Sequence, residues 1–198
     1  GVQTCALPIC RWLMLNTNII HTPTGREEAW RFTPLAKLKG LHDGSAKIGA
    51  EHSLISRALP AGVTFERVKS DVHTTDSDDV IVQRVVGSDS IVKVTIDGEL
   101  TEPVILGRQA IKDAEYSRIQ VLVKKFAKAT LILENTGNSL IAEDLELVLE
   151  PGSNLTFVTL QEFENEAVYA ARHHAIIDRD ANLKSITVTI GDRKSTRL

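Results

Sequence analysis

Two cysteines, Cys5 and Cys10, stand in the apolar opening GVQTCALPICRWLML and are the only thiols in the 198 residues. A structural zinc or redox site uses two cysteines two residues apart, or further Cys and His at ligand spacing. Cys5 and Cys10 have neither. A secretion signal needs its charge ahead of the apolar stretch, and here Arg11 follows it. The adjacent pair His173 and His174 is the other metal-type motif. On a strand, neighbouring side chains point to opposite faces, so the two cannot chelate one ion together. The expectation is one histidine in or beside the core with a hydrogen-bonding partner and the other outside. A metal role would require a ligand from another coil or another chain.

The acidic candidates for acid/base work are Glu162, Glu164 and Glu166, and Asp178 with Asp180. Paired carboxylates hydrolyse glycosides only when held at a defined separation. These groups flank strands in charge-rich stretches, which reads as solvated turns. The segment Gly191-Asp-Arg-Lys194-Ser195 imitates the end of a phosphate-binding loop but lacks the first glycine of that motif at its spacing. Asn154-Leu-Thr156 has the form of a glycosylation acceptor, and in this context it reads as a turn entering a strand.

The two ends of the chain are related in an unusual way. Gln3 to Ile9 can be back-translated as CAG ACG TGT GCT CTT CCG ATC, and the reverse complement of that DNA encodes DRKSTRL, which is Asp192 to Leu198. Separate ends of a folded protein have no reason to be antisense to each other, whereas an adapter ligated to both ends of a DNA fragment produces this. Residues 1–10 and 192–198 are therefore expected to be non-native adapter-derived tails. The window Arg11–Gly191 then contains no cysteine and holds 20 basic against 25 acidic residues. That weak acidity argues against nucleic acid as a partner, since phosphate binding needs clustered Lys and Arg. The basic group Lys124–Lys128 (KKFAK) reads as a solvated turn. No apolar run reaches membrane-spanning length, so no membrane role is expected.

The elements that must position these groups fall into two regions. Residues 11–79 read as a small helical or mixed region. Thr24 and Glu27 have capping-box spacing and predict a short helix to about Arg31. Thr33 and Pro34 predict the N-cap and first residue of a second helix ending at Gly40, and His42-Asp43-Gly44 reads as the turn that closes it. ISRALPAGVTFERV reads as an unclear helix ending at Pro60, followed by a strand from Val63, and His73 falls in a polar loop. From Val80 to residue 191 the texture becomes short Val/Ile/Leu runs broken by turn residues, beginning with VIVQRVV, with a helical turn or loop near Arg108 to Tyr116. A polar turn precedes a strand at three aligned places, with Lys128, Asn154 and Asn182 equivalent and 26 and 28 residues apart. A drifting period of this size fits coils that bury their apolar face only by stacking. An antiparallel sandwich would give similar runs but not that repeat.

The stretch EEAWRFTPLAKLKGLHDG, with its Trp30-Arg31-x-Thr33-Pro34-Leu35 core, resembles the SufB/SufD family of iron–sulfur cluster assembly scaffolds, in its SufD branch. LVLEPGSNLTFVTLQEF and YAARHHAIIDRDANLKSITVTI are similar to the family's central β-helix. The resemblance implies a mainly β fold: a right-handed parallel β-helix (β-solenoid), truncated here, after a small N-terminal region with short α-helices. It implies a scaffold rather than an enzyme, cytoplasmic, acting in a SufBCD complex. The implied partners are a SufB-like subunit, through the β-helix, and a SufC-like ATPase, through a C-terminal region beyond this sequence. The cluster would be assembled by the whole complex, with its ligands beyond Gly191 and none bound by these residues. Iron–sulfur clusters are normally held by Cys thiolates, which the native window lacks. Trp30 and Arg31 are the candidate anchors. Trp30 would pack the N-terminal helices or meet a partner, and Arg31 would pair with an acid or hold the region to the β-helix. The competing expectation is a β-solenoid enzyme acting on carbohydrate, which requires Glu162, Asp178 and Asp180 to converge on one face.

Overall fold

The computed structural model describes residues 20–49, 52–70, 75, 77–109 and 111–190. Both adapter-like tails, both cysteines and His73 lie outside them. Ten strands form two five-stranded sheets, ordered β1-β4-β6-β8-β10 and β2-β3-β5-β7-β9. Strands β3 (Ser90–Ile96), β5 (Glu115–Val123), β7 (Leu140–Leu149) and β9 (Val168–Ile177) stack in parallel in one sheet. In the other, β4 (Val104–Arg108), β6 (Lys128–Gly137), β8 (Asn154–Phe163) and β10 (Asn182–Thr189) do the same. The described residues thus wind through four coils, each contributing one strand to each sheet. This is a parallel β-solenoid, and its parallel ladders exclude the antiparallel sandwich.

The coil length drifts as the repeat predicts. Val92 pairs with Ile119, Glu115 with Ile141 and Leu140 with Val168, so successive coils are offset by 27, 26 and 28 residues. Lys128 pairs with Asn154 and Asn154 with Asn182, the register read from the sequence. Phe126, Gly152 and Asp180 take positive φ at equivalent places in the stacked turns (61°, 73° and 58°). Gly152 is also closely packed, because a Cβ there would lie 2.6 Å from the Phe126 ring. Between the sheets Val94, Leu106, Val121, Leu131, Leu147 and Phe157 form a continuous apolar core. Such a core stabilises by about 25 cal/mol per Å² of apolar surface removed from water.

The first coil is covered by a coil running the other way. β1 (Leu54–Ala58) pairs antiparallel with β4 and β2 (Val63–Lys69) antiparallel with β3. β1 is therefore a strand, not the end of a helix, and Pro60 sits in the turn that passes the chain from one sheet to the other. Val63 begins β2, as expected.

The region before the solenoid differs from the expectation of short α-helices. Glu28–Trp30 and Leu35–Leu38 are single 3₁₀ turns. Glu27 accepts the Thr24 backbone N–H at 3.0 Å, as a capping box requires, but the Thr24 hydroxyl donates to the same carboxylate instead of capping the turn. With no side-chain cap at either turn, neither propagates into an α-helix. The second turn is entered from Pro34 rather than from an N-cap at Thr33. It is closed by Lys39, at φ 49°, one residue before the predicted Gly40 (φ 89°), and residues 41–44 form the turn expected there.

The α-helix of the described residues is α1 (Val80–Val86), the VIVQRVV run that reads as a strand by composition. Asp79 caps it, accepting from the N–H groups of Ile81 and Val82. Val80, Ile81 and Val85 pack onto Ala114, Ala142 and Ala170 on the outside of the solenoid. Ala142 and Ala170 are in register on β7 and β9, and their small side chains let the helix lie close. The cap and this burial outweigh the modest helix propensity of valine. The stacked coils consequently begin at β3.

Candidate functional site

The buried charges among the described residues are concentrated at one lateral end of the coils. There the inward-facing positions include Arg108 of β4, Asn135 of β6, Glu115 and Ser117 of β5, Glu143 of β7, and Tyr169 and His173 of β9. Arg108 ends β4 with its side chain 0% exposed. Its Nε donates to Asn135 Oδ1 at 2.7 Å, its Nη1 to Ser53 Oγ at 2.7 Å and its Nη2 to Ser117 Oγ at 3.4 Å. Nη2 also pairs with the carboxylate of Glu143, itself fully buried. Glu115 lies 3.9 Å from Nη1 and accepts from both the backbone N–H and the hydroxyl of Ser53.

Glu143 receives a second set of contacts from the fourth coil. Tyr169 donates its hydroxyl to Oε1, and His173 Nε2 lies 3.1 Å from the same oxygen. The Arg108 guanidinium also sits 5.9 Å from the centre of the Tyr169 ring. Burial raises the Tyr169 phenol to about 12 against the opposing pull of Arg108. Burial and then the Arg108 charge push His173 down to about 4, so its imidazole is neutral at pH 7. The ring stands edge-on to Phe157, its centroid 5.7 Å away.

The predicted split of the histidine pair is what the strand provides. His173 faces inward, while His174 faces out in the register row Gln120–Glu146–His174, beside the row Arg118–Asp144–Arg172. His174 Nε2 is 3.2 Å from Glu146, and Arg172 Nε donates to Asp144 at 2.7 Å. These rows line a cleft of about 240 Å³ with Val86 and Ile91. Among the described residues no three His, Cys, Asp or Glu side chains come together as a metal-holding group.

The carboxylates named for carbohydrate chemistry do not converge. Glu162 lies near the end of β8, whereas Asp178 and Asp180 occupy the turn between β9 and β10, at the opposite lateral end of the coil. Glu166 instead binds Lys39 at 2.9 Å, tying the N-terminal region to the turn after β8. Lys124 and Lys128 pair on the surface with Asp97 and Glu99, as a solvated turn should.

Trp30 packs partly buried against the cluster of Leu38, Leu41, Val80 and Ala170. Arg31 makes no ion pair among the described residues. It lies over Phe32, 5.6 Å from the ring centre, and Phe32 is 89% exposed.

The groups at the centre of this arrangement were not among the sequence candidates. Arg108, Glu115 and Glu143 occupy the same alternating phase as the buried residues of their strands, the signal that would have found them.

A stack of parallel coils with a charged interior end, covered on its first coil and carrying outward rows of paired charges, is a β-solenoid by architecture. Residues 105–197 match the family model "SUF system FeS cluster assembly, SufBD core domain". The chain is 29% identical over 192 residues to an iron–sulfur cluster assembly SufBD family protein of Mycobacterium leprae, covering 89% of this chain and 47% of that protein. It is likewise 29% identical over 187 residues to SufBD family proteins of Mycobacterium bovis and Mycobacterium tuberculosis, covering 46% of each. Over these spans the chain is similar to the SufBD family of iron–sulfur cluster assembly proteins. It spans a little under half the length of the curated relatives it matches. No solved structure matches it significantly.

Proposed function

We propose that the chain is part of a SufD-like scaffold subunit, one that works without catalysing a reaction of its own. It pairs through its solenoid with a SufB-like subunit, and a SufC-like ATPase docks on a segment outside this sequence. The iron–sulfur cluster is the cargo of the whole cytoplasmic complex and is not held by these residues.

The observation that carries this reading is the coincidence of the in-register coils β4–β10 with the SufBD core match over residues 105–197. The SufD branch is supported by the Trp30–Leu35 segment. A carbohydrate-active enzyme is not favoured, because Glu162 and the Asp178/Asp180 pair stand at opposite ends of the coil.

The test is co-expression of the uninterrupted gene with its SufB-like and SufC-like neighbours. A stable ternary complex is expected on copurification, and a full-length product that captures neither partner would count against the assignment. Trp30→Ala separates the two roles of that residue. Lost stability marks a packing anchor, and unchanged stability with lost complex marks a docking residue.

A further inference from the structure

Arg108 reaches every level of the stack. It contacts Ser53 just before the reversed coil, Ser117 and Asn135 in the second coil, Glu143 in the third and the Tyr169 ring in the fourth. A guanidinium is a rigid planar fork, so its donors cannot be re-aimed independently. Displacing the Glu143 end therefore moves the end that holds Ser53.

The two ends of this chain of contacts differ in how firmly they are held. β1 has five residues, pairs along one edge with β4 and carries a register shift between Ser56 and Ala58. A short, irregular edge strand opens locally more readily than the strands it caps. Leu54 seats it in the apolar core, and its polar link to the interior is buried Ser53, which donates backbone N–H and hydroxyl to Glu115 and accepts from Arg108. His52 Nδ1 stands 3.7 Å from the other Glu115 oxygen, and Arg67 of β2 donates to the Leu54 carbonyl at 2.9 Å. At the far end Tyr169 and His173 belong to the last described coil, and 26% of the His173 side chain reaches solvent there.

We propose that the interior cluster is an axial relay, in which Arg108 couples the state of Tyr169 and His173 on the fourth coil to the attachment of β1 over the first. Whatever covers or perturbs the fourth coil is then felt at the opposite end of the stack, with β1 attached or detached as the two-state element. The relay rests on the interior contacts alone and is independent of the partners assigned above.

Native-state hydrogen exchange on the full chain tests it, in a cycle of Tyr169→Phe, Ser53→Ala and the double variant. Tyr169→Phe removes one donor to Glu143 and leaves the ring in place. It is expected to speed exchange of the β1 amides about tenfold when Ser53 is present and less than about twofold in Ser53→Ala. No acceleration, or equal acceleration in both backgrounds, overturns the relay. If Ser53→Ala alone leaves β1 unprotected, the reciprocal effect is read instead. Ser53→Ala should then shift the Tyr169 phenol titration, and an unmoved phenol overturns the proposal.

Discussion

Arg108 and Glu143 form a fully buried ion pair that crosses from the first coil of the solenoid to the third. Strand hydrogen bonds join each coil only to its immediate neighbours, so this pair supplies a tie the ladder cannot. Removing one partner leaves an uncompensated charge inside the stack. Arg108→Ala is expected to cost about 3–5 kcal/mol in denaturant unfolding, the range for a broken buried pair. A loss below about 1 kcal/mol would mean that water enters the interior and solvates Glu143.

His173 fixes a pH dependence whose sign follows from its lowered value. Its imidazole titrates near 4 in the folded chain, below the roughly 6.5 of an unfolded histidine. The unfolded state therefore binds more protons between those values, and folding loses stability as pH falls from about 6.5 toward 4. His173→Gln should flatten that part of the stability curve. An imidazole NMR titration with its midpoint near 6.5 would contradict the burial.

Tyr169 and Tyr116 are the two tyrosines of the chain, and burial raises both phenols. Alkaline absorbance titration of the folded protein should show Tyr169 ionising near 12. Tyr169→Phe should remove that step and leave the other.

Gly152 combines positive φ with the Phe126 ring packed where a Cβ would be. Gly152→Ala is expected to lower stability by about 1–3 kcal/mol through backbone strain and the ring clash. Adding Phe126→Ala should recover the clash and leave the backbone share, which thermal melts of the single and double variants would separate.

Asp79→Ala tests why a valine-rich run is helical. Loss of the cap to Ile81 and Val82 should cost about 1 kcal/mol. The measurement is the shift in urea midpoint at unchanged slope.

The repeat was legible because solenoid turns recur at fixed structural positions. Lys128, Asn154 and Asn182 each open a strand at the same height, and their spacing reported the register directly. The helix α1 was hidden because Val and Ile dominate it, and its identity depends on a seat of alanines supplied by residues 114, 142 and 170. The 3₁₀ turns read as helices in sequence because capping residues are present without the side-chain cap bond that extends a helix. The interior charges are hidden in the sequence for another reason. Glu115 and Glu143 read as polar breaks when taken singly, and only their phase against Ile119, Val121, Leu145 and Leu147 places them inside.

The reversed coil at the start of the stack also has a consequence for assembly between molecules. A parallel ladder can in principle add identical layers end to end, as cross-β fibres do. Here one terminal layer runs against the grain, is short, contains a bulge, and bears Arg57, Glu66, Arg67 and Lys69 along its strands. A second molecule arriving in the same winding direction meets no matching template there. The stack is thus polar in the polymer sense, blunt at its first layer, so uncontrolled fibre growth through that layer is disfavoured.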